Sequence, residues 1–118
     1  MECPCCSSLL QVTAYLCPDC GIHLQGRFMT PRLARLSAEQ QRLAEQFLLA
    51  GGNLKTLSEQ LDISYPTLRK RVDALIADLK SAFEQDQVTI TALLDQVEAG
   101  ALKAEEAARL IRELNSNA

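Results

Sequence analysis

Apolar residues change their spacing twice along this chain, and the changes divide it. Leu10, Val12, Ala14 and Leu16 alternate with Gln11, Thr13 and Tyr15, and Ile22, Leu24 and Phe28 alternate with His23, Gln25 and Arg27. A period of two predicts strands on either side of residues 17–21. From residue 37 onward the period becomes helical. Leu43 with Phe47 and Ala44 with Leu48 form i,i+4 pairs, and Leu54, Leu57 and Leu61 recur at i, i+3 and i+7. Leu68, Val72, Leu75, Ile76 and Leu79 trace a longer arc. Ile90, Leu93, Leu94 and Val97, then Ala107, Leu110, Ile111 and Leu114, predict two more amphipathic stretches separated by Gly100.

Start and stop signals sharpen these elements. Ser37-Ala38-Glu39-Gln40 reads as a capping box, with Ser37 accepting from the third helical amide and Gln40 reaching back. Gly51-Gly52 ends that helix, Asn53 caps the next, and Ser64 caps a third whose first turn accommodates Pro66. A short helix, the tight turn Asp62-Ile63-Ser64 and a longer helix form a helix-turn-helix. The fold class expected is mainly α with a small β zinc ribbon. Its parts are a ribbon over 1–30, a linker over 31–36 in which Arg32 and Arg35 are solvated, a three-helix domain over 37–82 and a helical hairpin over 86–116. No Gly or Pro lies between Thr67 and Ala99, and Ile76, Phe83, Ile90 and Val97 are spaced by seven, so one continuous helix is an alternative. The cluster Val88-Thr89-Ile90-Thr91 and the charge of Asp86 favour a break near residues 84–89.

Composition adds the chemistry. The five cysteines all fall within the first twenty residues, in Cys3-Pro4-Cys5-Cys6 and Cys17-Pro18-Asp19-Cys20-Gly21. Two residues between cysteines make a knuckle that aims two thiolates at one point, and two knuckles close a tetrahedral site with no open position. Cys3, Cys6, Cys17 and Cys20 are the expected ligands of a structural Zn2+, with a disulfide or a rubredoxin-like iron as alternatives. Cys5 is the odd thiol beside the site. Five cysteines at this spacing suit a reducing, cytoplasmic compartment. The one histidine, His23, sits on the polar phase of a strand, and four thiolates saturate one metal, so no enzyme is expected.

Charge narrows the partner. The net charge is -3, yet residues 37–80 hold six basic and six acidic side chains while residues 81–118 hold three and seven. The contiguous triplet Arg69-Lys70-Arg71 is the one concentrated basic feature. Projecting the third helix at about 100° per residue places Pro66, Lys70, Asp73, Ala74 and Ala77 opposite the apolar arc, with Arg69 and Arg71 on its shoulders. Double-stranded DNA is the expected partner. Pro66, Thr67 and Lys70 are candidates for base edges, Arg69 and Arg71 for phosphates, and Tyr65 for a further phosphate contact. So small a basic surface binds weakly alone, which favours a homodimer. A transcription-machinery protein is the alternative partner. No apolar run reaches a membrane span.

The knuckles CPCC and CPDCG, the start LSAEQ, GGNLKTLSEQL and above all DISYPTLRKRVDAL resemble the bacterial family filed as domain of unknown function 2089, over residues 1 to about 80. The resemblance implies a zinc ribbon joined to a helix-turn-helix similar to the DNA-binding region of sigma factors, with an inferred transcriptional role and no catalytic residue. Asp62 stands where such turns usually have Gly. The tail TALLDQVEAGALKAEEAARLIREL resembles a short C-terminal helical module of bacterial regulators associated with self-assembly.

Overall fold

The computed structural model describes residues 1–116. Its elements are β1 (Ala14–Leu16), β2 (His23–Gln25), a 3-10 turn at Leu33–Arg35, α1 (Ala38–Leu49), α2 (Leu54–Leu61), α3 (Tyr65–Glu98) and α4 (Ala104–Ser116). The protein is therefore mainly helical with one small sheet. Two compact units are present: Met1–Pro31 with Gln85–Ala118, and Arg32–Glu84.

In the first unit, β1 and β2 pair antiparallel, with Ala14 opposite Gln25, Tyr15 opposite Leu24 and Leu16 opposite His23. Each strand is shorter than its alternating pattern, and Leu10, Leu16, Ile22 and Leu24 remain exposed. The Tyr15 and Phe28 rings meet edge to face at 4.9 Å. The core of this unit lies in the tail. Leu93 of α3 and Leu110 and Leu114 of α4 are buried together, and Met29, Ile90, Leu102 and Ile111 pack against them. The end of the ribbon segment is thus built into the helical hairpin. Glu113 fastens them, its Oε2 accepting the Met29 amide at 3.0 Å and its Oε1 accepting Arg109 Nη1 at 2.7 Å. Arg109 Nη2 in turn donates to the Arg27 carbonyl at 2.9 Å.

The second unit is built on Leu43, Leu57, Leu68 and Val72, one or two from each of its three helices, with Phe47, Ala50, Leu54, Leu61 and Ile63 packed around them. Ser37 and Asn53 cap α1 and α2 as expected, through Gln40 N–H to Ser37 Oγ at 3.2 Å and Lys55 and Thr56 N–H to Asn53 Oδ1 at 3.0 and 3.2 Å. The reciprocal half of the capping box is not made, since the Gln40 side-chain amide donates instead to Asp78 Oδ2 at 2.6 Å. A charge-assisted bond from the Gln40 side-chain nitrogen to α3 is stronger than the neutral bond in which its oxygen would accept the Ser37 amide. Arg32 is not a solvated linker residue either: it is 9% exposed, with its guanidinium 5.1 Å from the centre of the Phe83 ring. Burial of its stem and cation-π attraction hold it there.

The expected break near residues 84–89 does not occur. α3 is one helix in which residues 65–84 belong to the second unit and 85–98 to the first. The threonines that weaken helicity are recruited to it, as Thr89 Oγ1 donates to the Gln85 carbonyl at 3.0 Å and Thr91 Oγ1 to the Gln87 carbonyl at 3.1 Å. Propensity differences of a few tenths of a kcal/mol per residue are too small to end a helix where no Gly or Pro intervenes. Of the seven-spaced row, Ile76 and Phe83 are exposed, whereas Ile90 packs on the Leu93 cluster.

Candidate metal centre and nucleic-acid interface

The two knuckles repeat one another at an offset of fourteen residues. In the first, Cys3 N–H donates to the Ser8 carbonyl at 2.8 Å and Ser7 N–H to the Cys3 carbonyl at 2.9 Å. The second has Cys17 N–H to the Ile22 carbonyl and Gly21 N–H to the Cys17 carbonyl, both at 2.9 Å. Ser7 and Gly21 both have positive φ, at 61° and 76°. The backbone therefore builds the same loop twice, once with the residue suited to it and once without.

Each loop gathers its own pair of sulfurs. The Cys5 amide faces Cys3 Sγ at 3.4 Å. The Cys6 thiol is held below its ordinary pKa by the Ser8 hydroxyl, then by the Ser8 amide and the Cys3 thiol. The Cys17 thiol is lowered by the Cys20 and Asp19 amides and then by the Cys20 thiol. Donors directed at sulfur stabilise the thiolate, which is the form that binds metal. The donor set of four thiols is that of a structural zinc site. Among the described residues no three His, Cys, Asp or Glu side chains stand together in a metal-holding group. Cys5 is exposed and occupies the place that Asp19 has in the second loop, outside both pairs.

The helix-turn-helix is shaped by its turn and by the start of α3. Asp62 adopts the left-handed conformation at φ 53° and ψ 45°. Ile63 N–H then reaches the Ser58 carbonyl at 3.1 Å, closing α2 as a glycine would. Ser64 Oγ accepts the Thr67 amide at 3.3 Å and lies 2.8 Å from Thr67 Oγ1, so the Thr67 hydroxyl is engaged at the cap. Leu68 and Val72 are 0% and 7% exposed and anchor α3 in the core. The residues around them, Tyr65, Pro66, Thr67, Arg69, Lys70 and Arg71, are all exposed.

These exposed residues do not form one uniform surface. Arg71 lines a groove of about 550 Å³ between α1 and α3, together with Leu43, Leu61, Ile63, Ala74 and Asp78. Arg69 is elsewhere and pairs with Asp73, Nε to Oδ1 at 3.3 Å. Among the described residues no ion pair involves Lys70 or Arg71. Reasoning from sequence passed over Ser7 and Ser8, and it placed Asp73 on the outward face of the third helix without pairing it to Arg69. The fourteen-residue repeat carried a signal for Ser7, and the i+4 spacing of Asp73 from Arg69 carried one for their pairing.

Two family models match the chain: the DUF2089 zinc ribbon over residues 3–34, and the domain of unknown function (DUF2089)-HTH over residues 36–82. The chain belongs to the DUF2089 family. The two matches meet between the ribbon and α1, so both candidate sites lie inside family domains. Neither the curated proteins nor the solved structures searched contain a match. A zinc ribbon joined to a helix-turn-helix is an arrangement suited to binding nucleic acid. Among the described residues, no helix is long and apolar enough to cross a membrane.

Proposed function

We propose that this protein is a small DNA-binding transcriptional regulator of the cytoplasm, in which α3 enters the major groove and a structural zinc fixes the ribbon. The observation that carries this reading is the start of α3. Leu68 and Val72 are buried while Tyr65, Pro66, Thr67, Arg69, Lys70 and Arg71 around them are exposed, so a rigid helix presents a polar, basic end. A recognition helix reads base edges with such N-terminal residues. Pro66 and Thr67 face the base edges. Lys70, first placed with them, is assigned with Arg71 to phosphates because neither is in an ion pair among the described residues, and Tyr65 joins them.

Zinc closes the ribbon through Cys3, Cys6, Cys17 and Cys20. The ribbon needs a cross-link because its own apolar side chains stay in water: Leu16, Ile22 and Leu24 are each more than half exposed. Metal binding contributes folding energy to a module with so little core. Two protomers engage DNA together, since few phosphates are neutralised by one basic triplet. Binding of the zinc-loaded chain to genomic duplex fragments, titrated against salt, tests the proposal. Salt-sensitive retention supports it, and its absence refutes it.

The same exposed ribbon side chains favour a second reading. In it the protein is an adaptor that docks on RNA polymerase, a sigma factor or another regulator without reading DNA. Purification from cells discriminates the two, since the adaptor retains a protein of the transcription machinery and no DNA.

A further inference from the structure

We propose that Arg69 is a base-reading residue selective for guanine, and that Asp73 is the residue that positions it. The inference rests on the DNA-binding reading above and assigns to Arg69 a different role from its neighbours in the basic triplet.

The ion pair engages a particular atom. Asp73 Oδ1 meets Arg69 at Nε, one helical turn away, at 3.3 Å. Guanine recognition in the major groove uses a bidentate guanidinium against O6 and N7. An arginine held at Nε keeps both terminal Nη groups for that purpose. The pair is exposed and therefore weak, so it biases the long side chain toward this rotamer before the base arrives without fixing it. The platform beneath it is fixed as well, because Leu68 and Val72 on either side are buried.

Electrostatics argues against the alternative role. An arginine that grips phosphate acts by releasing counterions, and a carboxylate on its guanidinium cancels most of that benefit. Asp73 is itself about half exposed, at 56%, on the side of α3 offered to DNA, where an acidic residue repels the backbone unless it serves an orienting purpose. At about 100° per residue Asp73 projects between Arg69 and Lys70, so the paired arginine is drawn toward the face that carries Lys70. Lys70 and Arg71, with no such ion pair among the described residues, keep their full charge for phosphates.

The experiment is selection of binding sites by the full-length, zinc-loaded chain from a randomised duplex library, followed by competition titrations of Arg69→Ala, Arg69→Lys, Asp73→Asn and Asp73→Ala. Both positions are exposed, and circular dichroism confirms retained helix. The expected wild-type result is a guanine preferred at one position by about tenfold or more. Arg69→Ala and Arg69→Lys abolish that preference and leave the others in place. Both Asp73 variants weaken the same preference although they remove a negative charge and raise non-specific affinity. The inference is overturned if Arg69→Ala lowers affinity equally for every sequence and flattens the salt dependence by about one unit, the behaviour of a phosphate contact. It is also overturned if the Asp73 variants leave the guanine preference unchanged. Failure of the wild-type chain to bind any duplex overturns the DNA-binding reading and this inference with it.

Discussion

Ser7 and Gly21 occupy the same place in two copies of one loop. Each donates its amide at 2.9 Å to the carbonyl of the first cysteine of its pair, and their φ angles are 61° and 76°. Only the second copy has the residue that takes this conformation without strain. A left-handed residue with a Cβ costs about 1–2 kcal/mol. Gly21→Ser is therefore expected to weaken the second knuckle by about 1 kcal/mol, while Ser7→Gly leaves the first equal or more stable. Chelator challenge of the zinc-loaded protein measures this, with earlier metal release for Gly21→Ser and none for Ser7→Gly.

Loss of zinc is expected to unfold the ribbon and spare the helices. The ribbon's apolar side chains are exposed, whereas α1 to α3 and the tail have their own buried clusters. Chelation should collapse the dispersion of amide resonances from residues 1–26 with little change in the helical circular dichroism signal. Replacing Cys3, Cys6, Cys17 or Cys20 singly with Ser should lower zinc below one per chain, and Cys5→Ser should not.

Glu113 holds Met29 to the tail. Its two carboxylate oxygens are divided between the Met29 amide and Arg109. Its side chain and that of Arg109 are about a third exposed, at 31% and 39%. Solvent screening keeps the effect of losing this contact modest, at about 1 kcal/mol. Glu113→Ala should speed hydrogen exchange at the Met29 amide by about fivefold and leave exchange in α1 and α2 unchanged. Exchange in α1 rising equally would show that the contact stabilises the whole chain.

Much of this architecture was legible because its signals are local. The C-P-x-C pairs, the Asn53 and Ser64 caps and the i+3 and i+4 spacing of Leu54, Leu57 and Leu61 each act within a few residues, where stereochemistry leaves few choices. The docking of Met29 on Leu110 and Leu114 was not legible, since it joins residues more than eighty apart through generic apolar contact. Arg32 read as a linker cation for the same reason, because its partner Phe83 is remote in sequence. The continuity of α3 was misjudged from the β-branched residues at 88–91. Their preference is weak, and the Thr89 and Thr91 hydroxyls were free to bond within the helix. Asp73 read from sequence only as a negative charge on the outward face, because a surface carboxylate gains meaning only from the atom it meets.

The central claim is that the exposed start of α3 binds DNA. The most direct test is fluorescence anisotropy of the zinc-loaded chain on genomic duplex fragments across a salt series, beside the variant with Arg69, Lys70 and Arg71 all changed to Ala. The account predicts salt-sensitive binding by the native chain. For the variant it predicts affinity at least tenfold weaker and a log–log salt slope flatter by about two, from the lost Lys70 and Arg71 contacts. Binding that ignores salt, or that survives the triple substitution unchanged, would contradict it.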